Sequence, residues 1–306
     1  MVPLEAEDST LVVADVGATP AGEGARRRRR LRRGGTRLPW VSGGIIVLFV
    51  LTGAIGPFFA PYHPEHIDLM NSLKPPVLFG GTSDHILGTD QLGRDVLSRL
   101  IHGARVSLLV ALAVVVIAGL VGVAIAVIAG YRGGRLDAFL MRATDATMAF
   151  PVLLLAIVVV GVFGPSTRNV IIILAFAGWA SYARVLRSEV ISIKTNDFVT
   201  MARTMGGGGR WIVRRHILPN ILPTLLVLVS LQLGIAIIAE GSLSFLGIGV
   251  PPPAPSWGGM LADGRSQLTR AWWLPTFPGL ALSLTVLAAN MLGDWLRVFN
   301  DPTTRR

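Results

Sequence analysis

The chain has 306 residues, 52% of them hydrophobic and only 15% charged, where ordinary globular domains carry roughly 25% charged residues. With a mean hydropathy of +0.60 there is too little polar surface to enclose such a core in water, and a membrane protein is predicted. The absence of cysteine excludes disulfide frameworks, thiolate metal sites and cysteine nucleophiles, and the net charge of +10 has to be read by position along the chain.

Residues 1–37 hold acidic and small residues followed by eight arginines, without hydrophobic periodicity, so a disordered tail is expected. Crossing a hydrocarbon core of about 30 Å takes roughly 20 apolar residues. Six segments meet that need: 40–60, 106–130, 146–164, 170–186, 221–249 and 275–298. The first is longer than the apolar core of a signal peptide and lacks a small-x-small cleavage site, so it is read as a retained span. The predicted fold is all-α and polytopic. Its parts are the tail 1–37, a first span with an extracytoplasmic loop and interfacial helix over 38–104, a core of 105–300, and a short tail 301–306. Charge gives the orientation, because cytoplasmic loops hold the excess of Lys and Arg. Eight precede Trp40, three lie in 131–145, seven in 184–219 and three at the C-terminal end, 21 of the 28 in all. Both termini are therefore expected in the cytoplasm. The run Arg26 to Arg30 is read as an orienting, lipid-facing cluster, and nucleic acid is not expected as a partner.

In the first loop, His63 and His66 stand in His-Pro-Glu-His, whose order does not fit H-E-x-x-H and whose Pro64 opposes a helix, so no metal is expected. Asp90 is expected to cap an interfacial helix with Leu92, Val96, Leu97, Leu100 and Ile101 on one face, and Asp95 with Arg99 forms an i, i+4 pair. Within the second span Ala118, Gly122, Ala126 and Gly130 recur every four residues, a ladder that lets another helix approach closely.

A phosphate-binding loop G-x-x-x-x-G-K-[ST] is absent, since the only lysines, Lys74 and Lys194, stand in Leu-Lys-Pro and Ile-Lys-Thr. The run Gly206 to Gly209 is read as a hinge. Just before it, Asn196 and Asp197 are good N-caps, Phe198, Met201, Ala202 and Met205 fall at i, i+3, i+4 and i+7, and Gly206 is a natural C-cap. Eight residues do not hold a helix alone in water, so this amphipathic segment must dock on its own loop or on a partner. The stretch 210–218, apolar with Arg210, Arg214 and Arg215 interspersed, is expected to lie on the inner membrane surface, and Pro219 to open the fifth span.

Residues 200–219 resemble the EAA loop of ABC importer permeases, in which E-A-A is followed after three residues by G and after nine more by I-x-L-P. Ala202, Gly206, Leu218 and Pro219 match, while Thr200, Met201 and His216 replace Glu, Ala and Ile. Residues 87–109 (LGTDQLGRDVLSRLIHGARVSLL), 149–155, 242–259 (SLSFLGIGVPPPAPSWGG) and 293–296 are similar to the C-type membrane subunit of dipeptide and oligopeptide importers. The resemblance covers residues 40–300. It implies a coupling helix seated in a groove of an ATPase subunit, with Asp197, Phe198, Met201, Ala202, Arg203, Met205, Gly206 and Pro219 at the contact. The implied partners are a homologous second permease, two ABC ATPase subunits and an extracytoplasmic solute-binding protein, in the bacterial cytoplasmic membrane. ATP would be bound by the ATPases, with no cofactor in this chain.

After the fifth span, Pro251 to Pro253, Pro255, Trp257, Trp272 and Trp273 suggest a stiff loop with an aromatic belt at the outer interface. Two acids fall inside spans, Glu240 and Asp294. Asp294 is expected to pair with Arg297. Glu240 has no evident local partner, and it either lines the solute path or is buried and hydrogen-bonded. The competing class is a self-sufficient secondary transporter or channel, but no internal repeat or chain of intramembrane acids supports it.

Overall fold

The computed structural model describes residues Pro39–Asn300; the expectations for 1–37 and 301–306 lie outside the described residues. Among the described residues the chain is helical, with a single isolated bridge between Thr89 and Asp95. The first helix, α1 (Pro39–Ile55), runs into a 3-10 turn at Gly56–Phe58, and a loop with two further 3-10 turns leads to α2 (Val96–Arg132). At 37 residues α2 is roughly 55 Å long, nearly twice the hydrocarbon thickness.

This corrects the interfacial helix expected from Asp90. The residues after Val96 are the first turns of the second span itself, and the N-cap is Asp95, whose carboxylate accepts from the Ser98 N–H at 2.8 Å. Asp90 instead shapes the turn before it, accepting from the N–H groups of Leu92 and Arg94 at 2.8 and 3.0 Å. The Asp95–Arg99 pair is corrected too. Asp95 is taken up by the cap and by His85 Nδ1 at 3.0 Å, so Arg99 turns to Asp90 and, at 3.1 Å, to Asp263.

The third span is broken. Helix α3 (Gly134–Ala149) and α4 (Val152–Phe163) meet at 81°, because Pro151 has no N–H and its ring opposes continuation through Phe150. With twelve residues, α4 is roughly 18 Å long and does not cross a bilayer alone. Among the described residues five helices are long and apolar enough to cross, and the bent pair makes six when counted as one span.

Helix α5 (Thr167–Lys194) extends eight residues past the expected end of its span. It packs along α2 over the small-residue ladder, whose four members are all buried. A Cβ added at Gly122 would sit 2.4 Å from Tyr182 Cβ, and one at Gly130 2.8 Å from Val190 Cγ1. Glycine is required at both positions by this close approach.

After the short α6 (Asp197–Thr204) come α7 (Gly209–Ile212), a π-helical turn at Val213–Ile217 and α8 (Leu218–Phe245). The last three form one 37-residue rod. Residues 210–218 are thus the start of the fifth span, not a separate surface helix, and Ile212 and Ile217 are fully buried in the core formed with α2 and α5. Helices α9 (Trp257–Arg265) and α10 (Trp273–Asn300) complete the bundle. Trp257 and Trp273 belong to the core beside Val96 and Met260 rather than to an interfacial belt. Their indole N–H groups donate to the Leu100 and Thr89 carbonyls at 3.0 and 3.2 Å, while Trp272 stays exposed.

Candidate functional site

Helix α6 lies at the end of the bundle where α5 finishes and the rod begins. Asn196 has N-cap backbone geometry but makes no side-chain cap bond, and Asp197 opens the first turn, where its charge suits the helix dipole. The far end closes on glycine. Gly206 has φ +86°, and the Gly206 and Gly207 N–H groups donate to the Arg203 and Ala202 carbonyls at 3.0 and 2.9 Å. This is the paired bonding of a Schellman cap, which stops the helix and turns the chain toward Trp211.

The apolar face expected from Phe198, Met201, Ala202 and Met205 divides in two. Ala202, 9% exposed, points inward with Val199, 0% exposed, which joins the core of Ile193, Ile212 and Ile217. Phe198, Met201 and Met205 remain 41%, 63% and 87% exposed. The buried half fastens the helix to its own chain, and the uncovered half, flanked by exposed Asp197, Arg203 and Arg210, faces outward. Periodicity does not single out Val199, because a stripe of period 3.6 can be drawn on either side of an eight-residue helix.

Pro219 is exposed and stands inside the rod, not at its start. The turn before it widens, with the Leu218 N–H reaching the Val213 carbonyl five residues back. Polar pairs hold the surrounding helices. Arg187 of α5 forks onto both carboxylate oxygens of Asp137 in α3, Arg184 meets Asp145 at 2.6 Å, and Thr224 of α8 donates to Glu189 of α5 at 2.9 Å. Glu189, assigned from sequence to a cytoplasmic loop, is a carboxylate between two long helices.

Glu240 is 0% exposed. It does have a local partner, contrary to expectation. Ser244, one turn along, donates to Oε1 at 2.7 Å, while Oε2 makes no hydrogen bond. Ser107 of α2 and Ser256 before α9 are its other polar neighbours. The carboxyl therefore points into the contact among α2, α8 and α9, and it lines neither of the cavities beside α8. One opening of about 400 Å³ lies among α2, α4, α5 and α8, with Ser181, Tyr182, Gln232 and Ser242 as its polar lining. Asp294 and Arg297 are both exposed and no ion pair joins them, which corrects the expected pairing. Among the described residues no group of His, Asp or Glu is arranged to hold a metal.

Long apolar helices packed through small residues, with a short helix clamped to their end and half uncovered, define a class: a polytopic helical membrane protein. Comparison with known proteins gives the family. Residues 122–306 match the binding-protein-dependent transport system inner membrane component, and residues 25–76 match the N-terminal TM domain of oligopeptide transport permease C. The chain belongs to this family and is a membrane permease subunit of an ABC importer. It is similar to the di/tripeptide transport system permease protein DppC of Pseudomonas aeruginosa, 41% identical over 85% of this chain and 87% of the relative. The dipeptide transport system permease protein DppC of Bacillus subtilis is 39% identical over 87% and 82%. The glutathione transport system permease protein GsiD of Pectobacterium atrosepticum is 38% identical over 86% of each chain.

Proposed function

We propose that this subunit imports short peptides across the cytoplasmic membrane, paired with a second permease, driven by two ATPase subunits that bind the ATP, and loaded by an extracytoplasmic binding protein. Relatives named for di- and tripeptide, dipeptide and glutathione transport support a peptide-class solute. The observation that carries the coupling role is the uncovered face of Phe198, Met201 and Met205 on a helix too short to stand alone. An apolar groove on the ATPase would cover that face, with Asp197 and Arg203 at its edge, and the Gly206 cap and the rod after it would carry the ATPase's movement to α8 and Pro219. The chain's share of the solute path is assigned to the opening lined by Ser181, Gln232 and Ser242 rather than to Glu240.

Met201→Asp tests the contact, because it places a charge in the apolar seat. Co-purification of the ATPases with this variant is expected to fall at least about tenfold, an affinity loss of roughly 1.4 kcal/mol. Undiminished co-purification would refute the assignment. The charge count supports a topology with both termini and Gly207 in the cytoplasm and Pro75 outside. In a chain without native cysteine, Pro75→Cys should react with an impermeant maleimide in intact cells and Gly207→Cys should not.

A further inference from the structure

We propose that His216 is a positioning residue of the transport cycle, the ring that transmits displacement of α6 to the transmembrane rod. This inference rests on the coupling role proposed above for α6. The imidazole lies between two aromatic rings from either side of the glycine hinge: its centroid is 5.9 Å from Phe198 on α6 and 5.0 Å from Trp211 on α7, the second contact edge-on. Trp211 in turn covers the hinge, since a Cβ at Gly207 would lie 3.1 Å from its ring.

The backbone of His216 belongs to the rod. It sits within the π turn, between the fully buried Ile212 and Ile217, and its carbonyl accepts from the Asn220 side chain at 2.6 Å. Its ring thus reaches from the anchored helix to the helix that has to move. Nε2 is buried without a hydrogen-bond partner, so the ring is held by packing rather than by a polar tether. The Gly206–Gly209 link is too permissive to transmit a push by itself, and the inward contact of Val199 and Ala202 is one turn of small side chains. The aromatic bridge supplies a stiff second connection, and it enters the rod at the π turn, its least regular stretch.

The test uses the complete transporter, with partner permease, ATPases and binding protein, in proteoliposomes supplied with a dipeptide. His216→Ala should assemble with the ATPases as the unaltered chain does and still hydrolyse ATP, but dipeptide moved per ATP should fall roughly 2- to 30-fold. His216→Phe, which keeps an aromatic ring, should restore that ratio. Trp211→Ala, altering a half-exposed ring, should lower it in the same direction and decides the matter if His216→Ala fails to accumulate. Unchanged dipeptide per ATP in His216→Ala or Trp211→Ala overturns the proposal, as does failure of His216→Phe to rescue. Failure of the underlying coupling role looks different: Met201→Asp would then co-purify with the ATPases as the unaltered chain does.

Discussion

The seam between α2 and α5 and the short helix α6 are both amphipathic contacts built on small residues, yet they are opposite in mechanical character. Along the seam, Ala118, Gly122, Ala126 and Gly130 bring two long backbones together with no flexible side chain between them, and every member is buried. At α6 the small residue, Ala202, makes only half a contact, and three large apolar side chains are left without cover. A seam without adjustable parts holds a fixed geometry; a helix fastened on one side is free to be driven from the other.

The largest effect is therefore expected where there is least room. Gly122→Val would put its Cβ 2.4 Å from Tyr182 Cβ and 2.8 Å from the Trp179 carbonyl, and overpacking of this kind costs about 1–3 kcal/mol or more. Loss of folded protein from the membrane fraction is the expected readout; wild-type abundance and thermal midpoint would show that the seam yields. Gly206→Val should be milder in stability and sharper in function. Nothing stands within 4 Å of the added Cβ, so the penalty comes from φ +86°, about 1–2 kcal/mol for an L side chain in that region. The variant should insert and assemble while ATP hydrolysis becomes uncoupled from uptake, and wild-type uptake with wild-type solute-stimulated hydrolysis would mean the cap carries no force. The smallest change is expected from Glu240→Gln, whose side-chain carbonyl can still accept from Ser244. Stability should move by less than about 1.5 kcal/mol with uptake kinetics nearly unchanged. A loss of more than about tenfold in uptake at unaltered stability, some 1.4 kcal/mol in rate, would return the carboxylate to the solute path.

Local patterns were readable from sequence alone: the apolar runs, the four-residue ladder and the glycine that ends α6 each depend on neighbours within a turn or two. Three features were not. The sharp bend at Pro151 was hidden because a proline marks a break without giving its angle. The surroundings of Glu240 come from three segments, so only Ser244 was within reach of a local reading. The direction of α6 was ambiguous because periodicity identifies an apolar stripe but not whether this chain or a partner covers it; only the burial of Val199 resolves that.

The bridge from Arg99 to Asp263 has a consequence for the order in which the protein is made. The two residues are 164 positions apart, so at a synthesis rate of about 5–20 residues per second Arg99 emerges roughly 8–33 s before its distant carboxylate exists. A guanidinium entering a helix bundle uncompensated for that long would be costly. Asp90, nine residues upstream, is already present when Arg99 appears and is available as its first counter-ion. Asp263 then arrives as a second partner, and its contact records that α9 has reached its seat against the start of α2.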